Sequence, residues 1–178
     1  MNIQLMPVID ASDVFSDHDP LDVSTFVPLS DCDLDTLLAL ACLMIGKNCD
    51  LEESVAPLSG GYVFVSNGEK KFYPQCYCDL STITEWTAAC ECRSQGWESL
   101  WIGYPFLYVR SANDDLLIND AMTDDGAVKV PRSELISAVR CARIQIDDFR
   151  KQIHDILLNI IPHYLCHDVS HALVYGWQ

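Results

Sequence analysis

"PRSELISAVRCARIQIDDFRKQIHDILLNIIP", Pro131–Pro162, carries the most regular hydrophobic pattern of the chain. Leu135, Val139, Ala142, Ile146, Phe149, Ile153, Ile156 and Ile160 follow one another at alternating steps of four and three. Those steps put apolar side chains on one stripe of an α-helix. Pro131 suits a first turn, where a missing N–H costs nothing, and Pro162 marks a stop. Such a helix is about 45 Å long. The stripe fits a core helix laid across a sheet better than the alternative, a homodimer joined through a coiled coil.

The segments before it supply that sheet. "GYVFVSNGEKKFYPQCYCDL" holds two β-rich runs around Asn67-Gly68, a hairpin signal; polar Glu69 and Lys70 suggest a turn longer than two residues. "WESLWIGYPFLYVRSANDDLLINDAM" reads as two further strands joined at Ser111–Asp115, with Pro105 marking an edge or a bulge. "SDCDLDTLLALACLMIGKN" and "STITEWTAACECRSQG" read as helices. In the second, Thr82 and Glu85 fit a capping box and Gly96 a stop. Residues 1–29, broken by Pro7, Pro20 and Pro28, read as an irregular N-terminal arm with a short strand near Ile3–Val8. The predicted class is α+β: a largely antiparallel sheet packed against helices, with one long C-terminal helix, in a single domain of 178 residues.

Charge narrows the function. The chain has 26 Asp+Glu against 11 Lys+Arg, a formal net charge of -15. That field repels nucleic acid and anionic membranes and attracts basic partners. Nine cysteines cannot all pair within the chain, and no stretch has the pattern of a signal peptide or a membrane span. Both features point to a reducing cytosol and a cytoplasmic protein.

Catalytic signatures are weak. The chain has no Gly-x-Ser-x-Gly elbow, no phosphate-binding Gly-x4-Gly-Lys loop and no dinucleotide fingerprint. Cys76/Cys78 and Cys90/Cys92 have spacings too short for the usual zinc knuckle and fit buried thiols better. His163, His167 and His171 recur every four residues, so on a helix they share a face and form the best metal candidate, with Cys166 and Asp168 as neighbours. No Glu stands between them to serve as a general base, so packing or surface roles outweigh metal binding. The expectation is a protein that is not an enzyme, with no cofactor.

Acids and aromatics remain. Asp114, Asp115, Asp120, Asp124 and Asp125 cluster around the second strand pair, which Trp97 and Glu98 open. Asp10, Asp13, Asp17, Asp19 and Asp22 form another group in the N-terminal arm. Such carboxylates clamp the Lys and Arg side chains of a partner, and Trp86, Trp97 and Trp101 are candidate anchors beside them.

"FYPQCYCDLSTITEW" and "WESLWIGYPFLYVR" resemble small bacterial immunity proteins of polymorphic-toxin and contact-dependent growth inhibition systems. The resemblance covers the middle third of the chain. It implies a cytosolic protein without catalytic residues that blocks the active site of a cognate toxin domain, commonly a basic nuclease such as an RNase. A DNA-mimic or anti-restriction protein and a small metal-dependent enzyme using the C-terminal histidines are the alternatives.

Overall fold

The stripe folds as a helix over Arg132–Leu157 and is buried by the chain itself, while Ile160, its last predicted member, lies in the turn that follows and is partly buried. The computed structural model describes residues 2–12, 26–47, 55–75 and 78–176. In chain order these form strands β1 (Ile3–Asp10) and β2 (Phe26–Pro28), helix α1 (Leu34–Lys47), strands β3 (Gly60–Ser66) and β4 (Glu69–Phe72), and helix α2 (Ile83–Glu91). Strands β5 (Glu98–Leu100), β6 (Leu107–Ala112), β7 (Asp115–Asn119) and β8 (Val128–Pro131) follow, then helices α3 (Arg132–Leu157) and α4 (His163–Tyr175). The fold is α+β, with its strands in two four-stranded antiparallel sheets ordered β2-β1-β3-β4 and β5-β6-β7-β8.

Helix α3 organises the core. Leu135, Val139, Ala142, Ile146, Phe149, Ile153 and Ile156 are all buried, with Ala138 and Leu157 beside them. Removing each large member from water contributes about 1.5–3 kcal/mol. The helix packs across β1 and against α1, α2 and α4, so the stripe works as a core helix and its apolar face is not left over for a coiled coil. Residues of both sheets and all four helices join in one apolar cluster, from Ile3 and Phe64 to Ile118, Phe149 and Val174.

Several expectations need correction. The short strand expected near Ile3–Val8 is present and runs on to Asp10 as an eight-residue strand between β2 and β3, so this part of the N-terminal segment is not an irregular arm. Pro7 is tolerated there because β2 pairs only with Val8–Asp10 and leaves the β1 edge open at Pro7. The β3–β4 turn has two residues, Asn67 and Gly68, both at positive φ (52° and 82°), with Ser66 facing Glu69. That is the primed turn that matches strand twist. A Cβ on Gly60 would collide with the Val8 carbonyl oxygen, which explains a glycine where β3 meets β1.

The start of α2 also differs. Thr82 makes no side-chain cap. Asp79 does the capping one turn earlier, its carboxylate accepting the Ser81 N–H at 2.8 Å, because a 3-10 turn at Leu80–Thr82 precedes the helix. The helix closes at Cys92, before Gly96. Pro105 lies in the β5–β6 connection and not within a strand. After Pro162 the chain resumes as α4; Val169, Leu173 and Val174 are buried, and Trp177 falls outside the described residues. None of the helices is long and apolar enough to cross a membrane among the described residues.

Candidate partner-binding site

The second sheet divides the acidic cluster. Its strands run up and down, so the β5–β6 and β7–β8 connections leave from one end and the β6–β7 turn from the other. Asp114 lies in that turn, and Asp115 opens β7 opposite Pro131. Asp120, Asp124 and Asp125 lie in the β7–β8 loop. The length of β7 separates the two groups by about 14 Å. Asp115 is committed to Lys129, whose Nζ is 3.0 Å from its carboxylate. Asp124 receives Arg110 through both Nε (3.0 Å) and a terminal nitrogen (2.5 Å). The Arg110 guanidinium in turn lies 5.4 Å from the centre of the half-buried Trp97 ring. Glu98 is exposed on β5 and takes a contact from the Cys92 thiol at 3.5 Å. Asp120 and Asp125 are exposed and make no ion pair among the described residues.

The loop that carries them is built from the inside. Asn119, 5% exposed, donates from Nδ2 to the carbonyls of Thr123 (2.9 Å) and Asp125 (3.0 Å). Its Oδ1 accepts the Asp120 N–H at 3.0 Å. A single buried amide thus fixes the path of residues 120–125 and pre-organises the carboxylates. The Asp120–Asp125 spacing was legible in the sequence; the role of Asn119 was not, because nothing local marks an asparagine as buried.

The β5–β6 connection at the same end carries aromatics. Trp101, Tyr104 and Phe106 are 58%, 47% and 43% exposed. Their rings touch in series: Trp101–Phe106 centroids are 5.4 Å apart and Tyr104–Phe106 centroids 5.5 Å. The Tyr104 carbonyl accepts the Gln75 N–H at 2.8 Å, and the Cys78 Sγ lies 3.4 Å from it, so the loop is tied to the segment after β4. Of the three tryptophans singled out in the sequence, only Trp101 stands out into solvent. Trp86 is fully buried and stacks on Phe64 at 5.7 Å, a core residue. Tyr104 and Phe106 read as strand residues from their aromatic content; the neighbouring Pro105 was the signal for a loop.

The other candidates separate clearly. His163, His167 and His171 do lie on α4, but the first and third stand about 12 Å apart along its axis, too far for one ion. No group of three His, Cys, Asp or Glu among the described residues is placed to hold a metal. His167 Nδ1 sits 3.1 Å from the Asp168 carboxylate, and the His171 ring packs 5.0 Å from Tyr175. Cys90 and Cys92 are buried, the first with its Sγ 3.3 Å from the Trp86 carbonyl. Burial pushes the Cys90 thiol up to about 11 and raises Cys92 as well, so both are held as inert thiols. Cys76, Asp13, Asp17, Asp19 and Asp22 lie outside the described residues.

At one end of the second sheet, then, an exposed aromatic platform adjoins a rigidly built acidic loop. Aromatic rings supply desolvated contact area and carboxylates select cations, the pairing expected of a protein-docking surface. Comparison with known protein families, characterised proteins and solved structures finds no match for this chain.

Proposed function

We propose that the chain is an acidic cytoplasmic immunity protein, not an enzyme, that binds a basic toxin domain, a nuclease of the RNase kind, and blocks its active site. The observation that carries this reading is the juxtaposition of Trp101, Tyr104 and Phe106 with the Asp120–Asp125 loop in a chain of net charge -15. A nuclease that grips phosphates must present Lys and Arg at its active site. Asp120 and Asp125 would pair with those cations, and the aromatic platform would cover the surrounding apolar surface and exclude the substrate. The net charge would steer the encounter.

A DNA mimic calls for acids strung along one elongated face. Asp114–Asp115 and Asp120–Asp125 stand at opposite ends of β7 with Lys129 and Arg110 paired among them, which favours the inhibitor. The test is to look for a nuclease toxin domain encoded beside this chain and to use that domain. Mixed with that domain, the protein should co-purify with it and abolish its nuclease activity. The association rate should fall steeply as salt rises. An active nuclease in the mixture, or a rate indifferent to ionic strength, would sink the reading.

A further inference from the structure

We propose that an open pocket lined by the start of α2, the middle of α3 and the face of α4 binds a small phosphorylated molecule. The pocket is about 380 Å³ and is lined by Arg143, Asp147, Arg150, His167, His171 and Tyr175, with Ile83 and Thr84 closing one side. That volume lies within the range of small-molecule sites. This inference is independent of the toxin-binding surface, which belongs to the second sheet.

Charge sets this region apart. Residues 132–175 hold five of the 11 Lys+Arg and only five of the 26 Asp+Glu, so the whole net charge of -15 resides elsewhere. In so acidic a chain cations are expected to be claimed by carboxylates, and several are. Lys71 pairs with Glu69, Arg110 with Asp124, Lys129 with Asp115 and Lys151 with Asp148. Arg143 and Arg150 are not; Lys70, Arg93, Arg132 and Arg140 are likewise without a carboxylate among the described residues, but of these six only Arg143 and Arg150 line this pocket. Among the described residues neither guanidinium lies within ion-pair distance of a carboxylate, and Arg143 makes only a 2.9 Å contact to the Thr87 hydroxyl.

The acid between them is occupied. Asp147 accepts the Tyr175 O–H at 2.6 Å. Burial, and then the contact with Asp147, holds the Tyr175 hydroxyl well above its ordinary value, so it remains a donor. Two arginines one turn to either side of Asp147 thus line the pocket, Arg143 with donors left beyond the one given to Thr87. Two imidazoles on α4 face them. The charged side chains of the wall sum to one positive charge with both histidines neutral, and to more when either is protonated. Planar guanidinium forks match the oxygens of a phosphate and bind them with charge-assisted hydrogen bonds. Imidazole N–H groups supply further donors.

The probes are inorganic phosphate and pyrophosphate, titrated into the full-length protein at neutral pH while the ring resonances of His167 and His171 are followed by NMR. Saturable shifts of both rings are expected. Arg143→Gln and Arg150→Gln should each weaken binding about tenfold or more, as loss of a charge-assisted bond implies. Lys129→Gln, on the far sheet, should leave it unchanged. Both arginines reach the surface, so the variants should fold, and the wild-type titration is decisive without them. Absent or non-saturating shifts, an equal loss in Lys129→Gln, or equally tight binding of acetate would each overturn the assignment.

Discussion

Two aromatic groups of the same size occupy opposite situations in this molecule. Phe64 and Trp86 pack inside as a buried stack, with the partly buried Phe72 tilted against Phe64 at 5.8 Å. Trp101, Tyr104 and Phe106 make ring contacts of similar length in the open. Inside, the area of the rings is already removed from water by the chain, and its free energy belongs to folding. Outside, the same area is still hydrated, and its free energy is released only when another surface covers it. Ring geometry alone does not distinguish a core from an anchor; burial does.

Substitutions at the two groups should therefore separate stability from binding. Trp86→Ala should destabilise the protein by about 3–5 kcal/mol, read as a lower urea midpoint, through loss of a fully buried indole. Trp101→Ala should leave that midpoint within about 0.5 kcal/mol of the parent while weakening toxin-domain binding by about 2 kcal/mol or more in calorimetry. Equal losses of stability at both positions would erase the contrast. Asn119→Ala lies between them: removing the buried amide that holds Thr123, Asp125 and Asp120 should cost about 1–3 kcal/mol of stability and weaken binding too, because the acidic loop loses its fixed path.

The smallest effect concerns pH on the buried side. The Cys90 thiol is raised from near 9 to about 11. As pH climbs through that window the unfolded thiol ionises before the folded one, so Cys90 withdraws stability between about pH 9 and 11 and has no effect below. Cys90→Ser should flatten the fall of the urea midpoint over that range. Exposed Cys42 and Cys141 should react with a thiol reagent in the native protein well before Cys90 does.

Legibility in the sequence followed the strength of local signals. The α3 stripe repeats over four heptads and Asn67-Gly68 dictates its own turn, so both were readable. Strand β1 was legible only as a short strand near Ile3–Val8; its length and its place inside a sheet were obscured because Pro7 interrupts it and its β3 partner lies about 60 positions on. Asp79 displaced Thr82 as a cap because a 3-10 turn adds one more turn ahead of α2. For the candidate site, Asp120, Asp124 and Asp125 were visible as a cluster. Their separation from Asp114 and Asp115 depends on where β7 begins and ends. Tyr104 and Phe106 were hidden by their resemblance to strand residues, and the Arg143–Arg150 pair by the acidity of the chain as a whole.

Hydrogen exchange of the protein alone and mixed with the proposed basic nuclease domain tests the central claim most directly. The account predicts that slowed exchange on binding concentrates in residues 101–106 and 120–127, with the β6–β7 turn at Asn113-Asp114 unchanged. Protection confined to that turn or to α3 and α4, with residues 101–106 and 120–127 unaltered, would contradict it.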